Sequence, residues 1–145
     1  MAAFEGFSKF LISEREGIRN IEAGNMILGY EFYCQYPNYR GTFLSCIESF
    51  EISVDEKRIP ENSVYFKLNG KQFLLSQLKD LYAEYWFILD KAGILILQEG
   101  GLHPGIHSVS IEMKHRIPYT GYFGQYMVVD SKSTKMLVAK EDIDE

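Results

Sequence analysis

Three histidines, two cysteines and a few carboxylates are the residues of this 145-residue chain with the means to do chemistry. His107 and His115 fall on one expected strand face, and the rise of an extended chain separates them by about 26 Å, too far to share a metal. His103 and His107 can approach each other through the loop Gly100-Gly101-Leu102-His103-Pro104-Gly105. They remain two ligands where protein sites for zinc-like metals use three or four, and the sequence sets no Glu or Asp beside them. His115 shares its face with Val109, Ile111, Met113 and Ile117, which makes it a core histidine with a satisfied nitrogen. For nucleophilic catalysis there is no GxSxG, and neither Cys34 nor Cys46 has a sequence neighbour that would activate a thiol. Glu48 and Glu51 alternate to opposite faces of one expected strand, so they are not the facing carboxylates of a glycosidase. Gly121 and Gly124 lack the Lys-Ser/Thr that a phosphate loop requires. The residues alone read as a binding or subunit domain, with no catalytic residue, metal or cofactor expected in this chain.

The elements that would position these residues are strands. Met26, Leu28, Tyr30, Phe32, Cys34 and Tyr36 alternate with Glu31 and Gln35, the pattern of a strand with one wet face. The same alternation marks Ile47 to Val54, Val64 to Leu68 and, most clearly, Val109 to Ile117, which Pro118 ends. Further strands are expected at 7–13, 18–21, 71–74, 86–89, 94–98, 127–129 and 134–139. Asn69-Gly70 is a hairpin turn signal, since both residues tolerate positive φ. Leu74, Leu75, Leu78, Leu81, Tyr82 and Tyr85 are spaced for one helix face, which predicts a short helix near 75–82. Some eight short strands with regularly spaced turns predict an all-β, antiparallel β-sandwich. Residues 1–139 would form a single domain and 140–145 an acidic, frayed tail.

Composition narrows the partners. A net charge of −5 and a pI near 5.3 argue against nucleic acid. No apolar run approaches the roughly 20 residues of a membrane span. The start MAAFEGFSKF lacks the basic head and apolar stretch of a signal peptide, and two free, buried cysteines suit a reducing cytoplasm. The loop Tyr36-Pro-Asn-Tyr39-Arg40-Gly41-Thr-Phe43-Leu44 carries aromatics, an arginine and a leucine. Such a loop is costly to leave in water and meets a surface, either of its own fold or of a partner. Residues 119–126, YTGYFGQY, form a second aromatic loop.

The run YRGTFLSCIESFEISVDEKRIP and the later GGLHPGIHSVSIEMKHRIPY resemble the β subunit of bacterial C-glycoside deglycosidases. The resemblance rests on Tyr39-Arg40-Gly41, Ser45, the strand Ile47 to Val54, Asp55 and Pro60. It continues through Gly100-Gly101-Leu102, Pro104-Gly105, His107 and the strand Val109 to Ile117, and covers residues 25–120. It implies a small β-sandwich subunit that assembles with a larger α subunit, a (β/α)-barrel related to sugar isomerases and epimerases, into a hetero-oligomer of αβ units. The α subunit would hold a divalent metal, manganese being the expected one. The complex would act as a carbon–carbon lyase, cleaving the bond between a 3-oxo sugar and an aromatic, flavonoid-type aglycone. Within that expectation, Tyr36, Tyr39, Arg40, Gly41, Phe43 and Leu44 form the principal contact with the α subunit, and Pro118, Tyr119, Tyr122 and Phe123 lie beside it. Interfaces favour such residues at their centres, and Lys is absent from both segments. The alternative is a free-standing carbohydrate-binding sandwich whose exposed tyrosines stack on sugar rings; a small sandwich enzyme with its own site is a third reading.

Overall fold

A computed structural model describes residues 7–117 and 127–140. Its strands follow the alternating segments. They are β1 (Ile12–Ser13), β2 (Arg19–Ala23), β3 (Met26–Cys34), β4 (Thr42–Phe43), β5 (Ile47–Val54) and β6 (Lys57–Arg58). They continue with β7 (Val64–Leu68), β8 (Lys71–Leu74), β9 (Tyr85–Trp86), β10 (Ala92–Leu97), β11 (Gly105–Ile117) and β12 (Met127–Ala139). The two tightest hairpins turn on Asp55-Glu56 (φ 50° and 68°) and Asn69-Gly70 (φ 56° and 73°). Positive φ at both central residues gives a turn whose twist matches the strands it joins.

Every strand pairing within the sheets is antiparallel. One sheet runs β1-β3-β10-β7-β8, with β2 beside β1 on the same edge of β3; the other runs β12-β11-β5-β6; β4 and β9 form a two-stranded ribbon at one end. The sheets face each other as a sandwich. Tyr30, Phe32, Val64, Phe66, Ile94 and Ile96 of the first meet Phe50, Ile52, Val109, Ile111, Met113 and Leu137 of the second in one buried cluster. Phe50 and Phe66 touch edge to face across the layers, with centroids 5.8 Å apart. Burial of this apolar area, worth roughly 25 cal/mol per Å², is the main force holding the layers together.

Several expectations change in detail. The first strand, expected at 7–13, is a 3₁₀ turn at Ser8–Phe10 followed by a two-residue strand. The helix expected near 75–82 is a 3₁₀ segment, Leu75–Asp80. Its three-residue period stacks Leu75 over Leu78 toward the core, and Gln77 Oε1 accepts the Leu74 N–H at 2.8 Å to start it. The strand expected at 86–89 is confined to β9. The two closing strands are one, because β11 pairs with β12 without interruption from Gly105↔Ala139 to Ile117↔Met127. Glu31, expected on a wet face, is buried: it lies on the second face of a strand flanked on both edges, and Lys67 Nζ pairs with its Oε2 at 3.1 Å. Met26 and Leu28, on the expected core face, are exposed, at the end of β3 where its register with β2 shifts between Ile21 and Glu22.

Candidate functional site

The site is built outward from a buried polar chain. Tyr36 follows β3, and its side chain turns back into the core, where the hydroxyl lies 2.6 Å from His115 Nδ1. His115 Nε2 lies 2.9 Å from Ser131 Oγ on β12. His115 is fully buried, and that burial pulls its pKa down to about 4, so the ring is neutral at physiological pH. A neutral imidazole donates through one nitrogen and accepts through the other, and each hydroxyl can supply the complementary role. His115 is thus a satisfied core histidine. The Tyr36 ring also lies 5.4 Å from Trp86, whose Nε1–H donates to the Asp90 carbonyl at 2.9 Å.

With Tyr36 anchored, the rest of the loop is held from its other end. Thr42 and Phe43 pair with Trp86 and Tyr85, and Leu44 N–H donates to the Glu84 carbonyl at 2.9 Å. Gly41 passes so close to β9 that a Cβ there would stand 2.3 Å from the Trp86 carbonyl oxygen. Only glycine fits that approach. Arg116 on β11 donates to the Ser45 carbonyl at 2.7 Å, tying the loop's exit to the second sheet. The expected contact residues therefore separate by depth. Tyr36 and Leu44 are core side chains, 2% and 0% exposed, and set the loop's course. Tyr39, Arg40 and Phe43 stand on the surface. The Arg40 guanidinium carbon lies 5.8 Å from the Tyr39 ring centroid, and the Phe7 ring centroid lies 6.2 Å from it. Pro118, Tyr119, Tyr122 and Phe123 lie outside the described residues.

The sequence reading missed the other half of this surface. Phe43 and Tyr85 stack edge to face at 5.0 Å, Tyr85 and Phe87 at 4.6 Å, and Tyr82 and Leu89 are exposed on the same 81–90 connection. The helical spacing of Tyr82 and Tyr85 and the strand expected over 86–89 hide the exposure of Tyr82, Phe87 and Leu89. The available signal was Gly41: a glycine between Arg40 and Thr42 marks a close backbone crossing, and the crossing partner is the 85–87 segment. The rings meet at 81° and 64°, so the ridge is knobbed.

At the opposite end lies a second polar cluster. His107 Nδ1 is 2.6 Å from Asp55 Oδ2, and His107 Nε2 is 2.7 Å from the His103 carbonyl oxygen. A carboxylate does stand beside this histidine, brought 52 positions along the chain by the β5–β11 pairing. Both ring nitrogens face oxygen acceptors, a geometry that only the doubly protonated ring satisfies fully. Partial burial pulls the His107 pKa down, but the Asp55 carboxylate and the His103 carbonyl outweigh it, and the net shift is upward. The His107 hydrogen bond, with the Ser108 N–H at 3.0 Å, lowers the Asp55 pKa. In this geometry the ring ties the Asp55 turn to the His103 loop. Among the described residues no three or more His, Cys, Asp or Glu side chains gather as metal ligands. Cys34 and Cys46 are free and buried, and burial pushes the Cys34 thiol pKa well up, away from reactivity. No described helix is long and apolar enough to cross a membrane.

A family profile described as C-glycoside deglycosidase beta subunit matches residues 7–119. Among curated proteins, the chain is 31% identical over 94 residues to a C-glycoside deglycosidase beta subunit of Eubacterium cellulosolvens, a match covering 64% of each chain. The match thus spans just under two thirds of that relative's length. A C-glycoside deglycosidase beta subunit of Microbacterium trichothecenolyticum is 30% identical over 71% of this chain and 79% of its own. A protein of Microbacterium sp. named 3'-dehydrocarminate deglycosidase beta subunit is 27% identical over 78% of this chain and 85% of its own.

Proposed function

This chain belongs to the C-glycoside deglycosidase beta subunit family, and on that premise we propose that it is the non-catalytic subunit of a cytoplasmic complex that cleaves the carbon–carbon bond between a 3-oxo sugar and an aromatic aglycone. An aryl C-glycoside has no leaving oxygen to protonate, so the paired carboxylates of ordinary glycosidases have no purchase on it. Oxidation at the sugar 3-position acidifies the neighbouring C2 proton. A base removes that proton, a double bond forms between C1 and C2, and the aryl group leaves C1 as its ring carbon is protonated. A divalent metal, manganese being the expected one, would hold the developing enolate charge, and we place metal and base in a larger (β/α)-barrel subunit.

The part left to this chain is to dock on the larger subunit and shape the site's surroundings. The observation that supports this role is the surface formed by Tyr39, Arg40 and Phe43 with Tyr85 and Phe87. It is rich in the aromatics and arginine that interface centres favour, and is carried on a sandwich that anchors its loop at both ends. Co-expression with a candidate larger subunit, a metal-dependent barrel protein, tests the reading. The expected result is a stoichiometric complex that releases the aglycone from a 3-oxo C-glycoside, with neither chain competent alone. A chain that purifies alone and binds sugar with full affinity would be a free-standing carbohydrate-binding module instead.

A further inference from the structure

The face of β12 that buries Leu137 and Ser131 continues, by strand alternation, through Val129 to Met127. Beside those last residues the chain leaves a cavity of about 440 Å³. Among the described residues no strand of the first sheet lines it; Phe7, Ser8 and the turn Pro37-Asn38-Tyr39 stand there instead, with Ile117 of β11. A volume of that size lies in the range of small-molecule sites, which are mostly apolar with a few polar groups that fix orientation. Six residues of the described lining are apolar: Phe7, Pro37, Tyr39, Ile117, Met127 and Val129. The Phe7 and Tyr39 rings, with centroids 6.2 Å apart and planes tilted by 39°, supply aromatic surface.

The polar groups narrow the ligand further. Among the described residues no lysine or arginine lines the cavity, and Asp130 is its single charged residue, so an anionic ligand finds no counter-charge there. Asn38 Oδ1 already accepts the Tyr39 N–H at 2.8 Å, and its amide N–H groups are donors. Ser131 brings the end of the buried polar chain to the cavity, its hydroxyl 2.9 Å from His115 Nε2. With the imidazole proton on Nδ1, Ser131 donates to Nε2 and keeps an oxygen lone pair for a ligand. With the proton on Nε2, Ser131 accepts from it and keeps its own O–H. A phenol hydroxyl, both donor and acceptor, meets either case. A sugar would press most of its hydroxyls against apolar side chains, and a buried hydroxyl without a partner is costly.

We propose that the cavity between Tyr39 and Val129 binds a flat, uncharged phenol, its aromatic body against the apolar lining and its hydroxyl on Ser131. Tyr39 belongs both to this cavity and to the docking surface, so the ligand lies beside the place where the chain docks; identifying it with the aromatic aglycone rests on the subunit reading above. Titration of the full chain with a hydroxyflavone, read by NMR on the methyl groups of Ile117, Met127 and Val129, tests the proposal. Saturable shifts at those methyls are expected, and unsubstituted flavone should bind about 10-fold more weakly for want of the hydroxyl. Tyr39→Ala removes a ring and Met127→Trp fills the space; both positions are exposed, so the melting temperature should hold while hydroxyflavone binding weakens by about 10-fold or more. No shift at these methyls, undiminished binding by either variant, or flavone binding as tightly as hydroxyflavone would overturn the proposal. Methyl glucoside displacing hydroxyflavone from the same methyls would assign the cavity to a sugar and overturn the choice of ligand. A chain that docks on the larger subunit but takes no hydroxyflavone fails this proposal alone, whereas one that takes hydroxyflavone and docks on no larger subunit fails the subunit reading alone.

Discussion

His115 makes two hydrogen bonds from the centre of the core, to the Tyr36 and Ser131 hydroxyls, and replacing it with alanine removes both and leaves a cavity. His115→Ala should lower stability by about 1–3 kcal/mol, measured by chemical denaturation, while turnover of any complex still formed changes little. A large loss of turnover with unchanged melting would give His115 a functional role instead. Gly41→Ala forces a methyl group to within 2.3 Å of the Trp86 carbonyl and should cost about 1–3 kcal/mol, because the backbone must part there. The burial of His115 was legible in the sequence, since strand alternation places it among Val109, Ile111 and Met113. Its partner was not: Tyr36 is 79 positions away, and no local pattern reports which hydroxyl a fold will deliver to a ring.

Among the elements, the strands were legible wherever one face meets the core and the other meets water, as in β5, β7 and β11. The reading faltered where burial is two-sided or local. Glu31 is enclosed by the strands around it, and β12 was divided because Asp130 to Ser133 is polar on both faces, although β11 pairs with every residue of it. The clamp between Asp55 and His107 joins the β5–β6 turn to the Gly100–Gly105 loop, and its stability contribution depends on pH in two directions. Folding favours protonated His107, so that contribution is full below the ordinary histidine value of 6.5 and fades as pH rises through the raised folded value. Folding also favours ionised Asp55, whose contribution is full above the ordinary aspartate value of 3.8 and fades as pH falls through the lowered folded value. The clamp is therefore at full strength between pH 3.8 and 6.5. The difference in melting temperature between wild type and His107→Ala should be largest in that window and shrink on either side; a pH-independent difference would mean the clamp is not ionic.

At the scale of the whole molecule, the sandwich fixes one ridge. The loop after β3 and the connection around β9 arrive from distant parts of the chain, and the Gly41 crossing locks them together. That is why the local pattern marks the loop with Tyr39, Arg40 and Phe43 and passes over Tyr85 and Phe87: the contact of Phe43 with Tyr85 is a tertiary product. Phe87→Ala, at an exposed ring, should leave the domain's melting temperature within a degree or two and weaken docking by about 1–2 kcal/mol. The central claim is that this surface is where the chain docks, and the most direct test is calorimetric titration of the larger subunit with wild type and with Arg40→Ala. The account predicts that Arg40→Ala binds more weakly by about 2 kcal/mol, roughly 30-fold in Kd, with the domain's own melting temperature unchanged. Unchanged affinity for Arg40→Ala, accompanied by a lower melting temperature, would contradict it and make Arg40 a turn residue of its own domain.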